Sequence, residues 1–137
     1  MTVRDWRTAA AAEIAPLYTS ETARWDRVLH WDTHVNWRLV EAARAAGTLP
    51  GVLAQDSAGI IRGWAFYLIH RGTLQIGALV SSSRQATAAI VDAILDSPGA
   101  ALASGVTLFT FADAPGLESE LRRRRFTTER YLYLQRP

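Results

Sequence analysis

Apolar positions recur every three or four residues through the first third of the chain, crowd into near-continuous runs in the middle, then return to helical spacing. A period near 3.6 marks a helix with one buried stripe, and short dense runs of β-branched and aromatic residues mark strands. After a short start at Val3 to Trp6, about Thr8 to Tyr18 reads as a helix. Ser20 or Thr22 then caps another helix running toward Trp31, with Trp25, Val28 and Leu29 at helical spacing. A further helix from about His34 to Ala46 sets Val35, Leu39, Val40 and Ala43 on one side and stops at Gly47, with Pro50 beyond.

The period then changes. Val52 to Gln55, Ile60 to His70 and Thr73 to Val80 read as strands, joined by turns at Asp56-Ser57-Ala58-Gly59 and Arg71-Gly72. Trp64, Phe66, Tyr67, Leu68 and Ile69 alternate little with polar residues, which predicts a sheet covered on both faces. A helix follows from about Arg84 to Asp96, with Ala86, Ile90, Ala93 and Ile94 toward the sheet, and it stops at Ser97-Pro98-Gly99. Val106 to Phe111 is the next strand, Asp113 and Pro115 introduce a helix through about Arg124, and Thr127 to Gln135 reads as a last strand.

A length of 137 residues with 49% hydrophobic content predicts one domain spanning 1–137. The longest apolar runs are broken by Glu13, Arg62 and His70, short of the roughly 20 residues of a membrane span. Ala9 to Ala12 is too short for the apolar core of a signal peptide, so a cytoplasmic protein with no membrane partner is expected. The absence of cysteine excludes disulfides, thiolate metal sites and a cysteine nucleophile. His30 and His34 share a helical i, i+4 spacing, but the glutamate of the zinc-protease pattern is missing, and no metal is expected. All 15 basic residues are arginine, which excludes a Schiff-base lysine, and a formal charge of +2 does not favour nucleic acid as a partner.

The most informative stretch is Leu79-Val80-Ser81-Ser82-Ser83-Arg84-Gln85-Ala86-Thr87-Ala88-Ala89-Ile90, where a strand ends, a small polar loop follows and a helix opens at once. A helix start carries unpaired N–H groups and the positive end of the helix dipole, so it suits an anion if the side chains are small. A serine loop that only caps a helix has the same composition.

This order of elements resembles the GNAT superfamily of acyl-CoA-dependent N-acyltransferases over essentially the whole chain. Arg84-Gln85-Ala86-Thr87-Ala88-Ala89 resembles the pyrophosphate loop Arg/Gln-x-x-Gly-x-Gly/Ala of that family: Arg84 and Ala89 match, and Thr87 adds a β-branched side chain where the family brings backbone close to phosphate. Ala114 to Phe126 resembles the family's helix ending in Leu-Tyr-x-x-x-Gly-Phe; Phe126 matches, Leu121 takes the place of a tyrosine that often protonates the thiolate, and Arg125 replaces the glycine.

The resemblance implies an α/β (α+β) fold, a central mixed, mostly antiparallel sheet flanked by helices on both faces. It implies acetyl-CoA as co-substrate, held by Leu79, Val80, Arg84, Gln85, Ala86, Thr87, Ala88 and Ala89. The implied reaction moves an acetyl or short acyl group to a primary amine on a small molecule or peptide by direct attack, and a homodimer is implied by resemblance only. The alternative is a catalytically degenerate module of the same fold that binds acyl-CoA or a partner, suggested by Thr87, Leu121 and Arg125.

An amine must lose a proton before attack, which calls for a base or a water chain. Topology offers His70, Glu120 and Tyr131, with Asp113 and Tyr133 beside them. Each also has a structural reading: a turn residue, an i, i+4 partner of Arg124, sheet packing, a helix cap. Arg122 to Arg125 reads as a solvated helix end balanced by Glu118 and Glu120. Trp25, Trp31 and Trp37 fall in the helical region that walls the acceptor site in the family, and at least one is expected in the core.

Overall fold

A computed structural model describes residues 1–111 and 113–127. The predicted final strand therefore lies, apart from Thr127, outside the described residues, as do Tyr131 and Tyr133. The described elements are β1 (Thr2–Asp5), a 3-10 turn (Trp6–Thr8), α1 (Ala11–Leu29), α2 (His34–Ala45), β2 (Gly51–Gln55), β3 (Ile61–His70), β4 (Thr73–Ser81), α3 (Arg84–Leu95), α4 (Pro98–Leu102), β5 (Gly105–Leu108) and α5 (Leu117–Arg123). The strands form one sheet in the order β1-β2-β3-β4-β5. Neighbours run antiparallel except β4 and β5, which are parallel.

Both faces of the sheet are covered over its centre, as its dense apolar strands predict, but the end of β3 is not: Leu68 and Ile69 are exposed. One face packs Ala54, Ala65, Leu74, Ile76 and Leu79 against Ala86, Ile90, Val91 and Ile94 of α3 and Leu117 and Leu121 of α5. The other packs Leu53, Trp64, Phe66 and Ala78 against Trp6, Ile14 of α1 and Trp37 of α2. The turn between β2 and β3 follows its residue chemistry. Asp56 Oδ1 accepts from Ala58 N and Ile60 N, and Gly59 takes the left-handed conformation at φ 81°.

Several expectations are corrected. Thr8 to Trp31 does not hold two helices; α1 is continuous, and Thr19 Oγ1 donates back to Ala15 O. The buried stripe Ile14, Leu17, Tyr18, Glu21, Trp25 keeps helical spacing through the Ser20–Thr22 region, so packing overrides local capping preference. On α2 the buried side carries Trp37 and Arg44, while Val35 and Leu39 are 56% and 67% exposed. Ser97-Pro98 does not only end α3: the Ser97 hydroxyl accepts from Ala100 N and opens α4, with proline in the first turn. Asp113 does not cap α5, whose N-cap is Gly116; it accepts from Arg24 of α1 at 3.2 Å.

Both α2 and α5 end in the same hydrogen-bond pattern. Thr48 N donates to Ala43 O and Gly47 N to Arg44 O, with Gly47 at φ 76°; Phe126 N donates to Leu121 O and Arg125 N to Arg122 O, with Arg125 at φ 65°. The pair is a Schellman closure, and the left-handed residue it needs is glycine in one helix and arginine in the other. A side chain there carries a left-handed penalty of roughly 1–2 kcal/mol, part of which glycine returns through its freer unfolded state. Arg125→Gly is therefore expected to stabilise the protein by about 0.5–1 kcal/mol, read as a higher urea midpoint at unchanged slope. A lower midpoint would show that the Arg125 side chain outweighs its backbone cost.

Candidate functional site

The ladder between β4 and β5 is short. Thr73 to Ile76 pair with Gly105 to Leu108, and β4 then runs on to Ser81 while the chain after β5 turns away. The divergence begins at a bulge: Phe66 of β3 faces Ala78 and Tyr67 faces Ile76, so Gly77 is the extra residue in β4. The bulge shifts the side-chain alternation by one. Leu74 and Ile76 point into the α3 side, and beyond the bulge it is Leu79, not Ala78, that does so. A Cβ on Gly77 would overlap the Phe66 ring, which explains the absence of a side chain there.

Past the bulge, one bond crosses the gap. Thr110 Oγ1 donates to Leu79 O at 3.2 Å, which shows that the Leu79 carbonyl faces the divergence. A strand residue sends its N–H and C=O to the same edge, so Leu79 N–H faces it too. Val80 pairs with Trp64 on β3 and packs its side chain into the tryptophan face.

At the end of β4 the loop is closed by its own hydroxyls. Ser82 N donates to Arg62 O at 2.8 Å, and Ser83 Oγ accepts from Ala86 N at 3.1 Å. The first N–H groups of α3, those of Arg84 and Gln85, have no intrahelical acceptor and stay at the mouth of the helix. Thr87 is fully buried. Its hydroxyl donates to Ser81 Oγ at 2.8 Å, and Ser81 in turn donates to Ser83 O at 2.8 Å. The β-branched side chain thus points under the loop and locks it, and does not project into the anion cradle. Ala88 and Ala89 are half-buried in the next turn of α3.

Arg84 is exposed, makes no ion pair among the described residues, and lies between the starts of α3 and α5. Its aliphatic stem passes Gly116, where a Cβ would come within 3.3 Å of Arg84 Cγ. Arg84, Gly116, Leu117, Ser119 and Arg122 line a cleft of about 420 Å³ beside the helix mouth. A second cleft, of about 840 Å³, separates α1 from α2, with Tyr18 and Trp37 on its floor and Asp26, Asp32, Arg38 and Glu41 around it.

No protein-family model matches the sequence, and no curated protein matches it. Solved structures match in shape. A probable acetyltransferase has a TM-score of 0.63 at 9% identity, covering 100% of this chain and 97% of its own. A ribosomal-protein-alanine N-acetyltransferase from Brucella melitensis biovar Abortus 2308 has a TM-score of 0.56 at 15% identity, covering 99% of both chains. AAC(6')-Iy, solved with the bisubstrate analogue CoA-S-monomethyl-acetylneamine, has a TM-score of 0.58 at 11% identity, covering 99% of this chain and 97% of its own. The chain has the GNAT fold. At these identities the likeness is one of fold.

Within the GNAT fold the expected proton-handling residues are scattered. His70 is exposed at the end of β3, paired with Thr73 at the start of β4, about 20 Å along the strand from Leu79. Glu120 accepts from Arg123 Nη2 at 2.7 Å, not from Arg124 as its i, i+4 spacing suggests. Tyr131 is outside the described residues. Arg122 pairs with Glu118, Arg123 with Glu120 and Asp92, and Arg124 with Asp92 and Asp96, so this run clamps α5 to α3. His30 takes a left-handed conformation at the end of α1 and His34 opens α2, so the two do not share a helix face. No described helix is long and apolar enough to cross a membrane.

Two carboxylates on the helical layer were not singled out by sequence. Glu41 accepts from Arg44 Nε and Nη2, each at 2.7 Å, and from Tyr18 Oη at 2.7 Å. These bonds hold its carboxyl below the ordinary range, Arg44 contributing most, while burial pushes the Tyr18 phenol up. Glu21 differs: it is 4% exposed, and burial pushes its carboxyl up against the opposing pull of Arg24. The signal for Glu21 was in the sequence, as the one charged residue in the stripe Ile14, Leu17, Tyr18, Glu21, Trp25.

Proposed function

We propose that this protein is an acyl-CoA-dependent N-acyltransferase that moves an acetyl or short acyl group to a primary amine on a small molecule or peptide by direct attack. The observation that carries the reading is the conjunction of the Gly77 bulge, the divergence of β4 from β5, and a hydroxyl-capped helix start one turn beyond. A pantetheine arm is an extended amide chain and suits an exposed strand edge. A pyrophosphate suits free N–H groups beside an arginine.

In this reading Leu79 N–H and C=O take the arm after Thr110 releases the carbonyl, and the same backbone edge stabilises negative charge on the thioester oxygen. One such backbone donor contributes a few kcal/mol and needs no particular side chain. Arg84, Gln85, Ala86, Thr87, Ala88 and Ala89 form the phosphate end, Thr87 by shaping the loop from beneath. A homodimer belongs to the same proposal.

The second reading, a GNAT-fold module that binds acyl-CoA without turnover, is favoured by one observation: Leu121, 8% exposed in the α3 side of the core, has no proton to give a departing thiolate. Calorimetry with acetyl-CoA, followed by thiol release in the presence of benzylamine, spermidine and a peptide with a free α-amino group, separates the two. Binding with turnover supports the enzyme, binding alone supports the module, and no binding at millimolar acetyl-CoA sinks both. Arg84→Ala is expected to weaken acetyl-CoA binding roughly tenfold through loss of a charge-assisted contact. Unchanged affinity would place the phosphates elsewhere.

A further inference from the structure

The sheet-facing stripe of α1 is apolar or aromatic at every position but one. Ile14 is fully buried, Leu17, Tyr18 and Trp25 pack into the tryptophan core, and Glu21 lies among them. Val80, just past the Gly77 bulge, packs into that same core.

Glu21 is poorly compensated for a buried carboxylate. One oxygen accepts from Trp25 Nε1 at 3.2 Å, and the other is 3.5 Å from Arg24 Nε, beyond good hydrogen-bond length. Arg24 is shared between two carboxylates: its Nε stays in ion-pair range of Glu21, while Nη1 bonds Asp113 at 3.2 Å and the guanidinium lies 4.2 Å over the Phe111 ring. Glu41 shows how the same fold satisfies a structural carboxylate, with three partners at 2.7 Å. Glu21 keeps lone pairs uncommitted, which a structural role does not need and a proton acceptor does.

Its neighbours lead to the divergence. Trp25 lies 4.6 Å from Phe111, and Phe111 follows Thr110, whose hydroxyl reaches Leu79 O. The charged and titratable groups facing Glu21 are Arg24 on its own helix and Asp113 from the segment after β5.

We propose that Glu21 is the general base of this site: its carboxylate takes a proton, relayed through water, from the acceptor ammonium where β4 parts from β5. The assignment rests on the acyltransferase reading. The freed amine lone pair bonds to the thioester carbonyl carbon, and the carbonyl π pair moves to oxygen, facing Leu79 N–H. As that pair returns, the C–S bond breaks and its electrons leave with sulfur. The second nitrogen proton passes through water to the thiolate, and Glu21 returns its proton to solvent. Burial above the ordinary carboxylate range brings the base closer to neutral pH, where proton acceptance is most effective.

Three measurements on the intact protein and its Glu21→Gln variant test this. The first is stability. A folded-state pKa above the unfolded one contributes stability at low pH that is lost as pH rises through the raised value, so Glu21→Gln should be at least as stable as wild type at pH 7. A clear loss of thermal midpoint would mark Glu21 as a structural partner of Arg24 and overturn the proposal. The second is calorimetry with acetyl-CoA, where equal affinity is expected. The third is thiol release with benzylamine, spermidine and an α-amino peptide. Here kcat/KM should fall about 100-fold or more, KM for acetyl-CoA should hold, and the acid limb of the pH profile should vanish. Equal turnover by the variant overturns the base assignment and leaves the acyltransferase reading standing. No binding by wild type, or binding without thiol release, overturns both.

Discussion

Arg44→Ala is expected to destabilise the protein by about 3–5 kcal/mol, the cost of removing a buried guanidinium from two buried carbonyls and the half-buried Glu41. Arg44 is 3% exposed. It donates from Nη1 to Trp6 O and Ala9 O at 2.8 Å each, and from Nε and Nη2 to Glu41. Alanine leaves two buried carbonyls and one carboxylate without their donor, and Tyr18 alone cannot balance the charge. The size of the loss depends on pH. Because Arg44 holds the Glu41 pKa down, the pair contributes stability above the ordinary glutamate value and loses it as pH falls through the lowered one. The deficit of Arg44→Ala should therefore be largest near neutral pH and narrow in acid. Urea unfolding at pH 7 and pH 4 measures both statements. A deficit under about 1 kcal/mol, or one that grows in acid, contradicts this account. Replacing Arg44 with Met and Glu41 with Leu together should recover only the carboxylate's share of the loss, since the Trp6 and Ala9 carbonyls still lack their donor. Acetyl-CoA affinity should be unaffected, because the network braces the α1–α2 cleft and does not touch the Leu79 edge or the α3 start.

The other large effect is expected at Trp6→Ala, also about 3–5 kcal/mol. Trp6 is fully buried, stacks on Phe66 at 5.5 Å and Trp64 at 6.1 Å, and donates from Nε1 to Leu49 O at 2.8 Å. Gly51 makes room for it: a Cβ there would stand 2.6 Å from Trp6 Nε1. Truncation leaves a cavity between β2, β3 and the 3-10 turn and strips the Leu49 carbonyl of its donor. Trp6→Phe keeps one six-membered ring and loses the rest of the indole with its N–H, and it should cost about 2–3 kcal/mol. Equilibrium unfolding gives both values. If Trp6→Ala costs no more than Trp6→Phe, the stacked rings contribute little and the core is held from the α3 side. Against a typical total of roughly 5–15 kcal/mol, either alanine variant should leave a marginal fold.

The elements that were legible in the sequence are those whose cause is local. Gly47 stops α2 because a left-handed residue is needed there, Asp56 and Gly59 make the β2–β3 turn, and Ser83 caps α3 through its own hydroxyl. The small-residue loop from Ser81 to Ser83 could be identified as a helix mouth for the same reason. What misled were positions where a local preference met a distant partner. Ser20 and Thr22 favour a helix start, yet the stripe from Ile14 to Trp25 packs as one surface and carries α1 through. Thr87 looks like an obstruction when aligned with glycine. Only the position of Ser81 beneath it shows the hydroxyl turned inward. Arg124 has a partner four residues back in sequence but finds Asp92 and Asp96 across α3.

By itself, then, the sequence determined the order and type of most elements, the turns between the strands, the two-sided sheet and the capped helix start after β4. These follow from interactions within about five residues and from hydrophobic period. Tertiary structure decided which face of α2 is buried, where β4 leaves β5, and that Glu21 is a buried carboxylate held by Trp25 and Arg24. The Gly77 bulge is a mismatch between β3 and β4, and the environment of Glu21 is made by Trp25, Arg24 and Asp113. Pairing register and dielectric surroundings are properties of segments far apart in the chain, so no local pattern carries them.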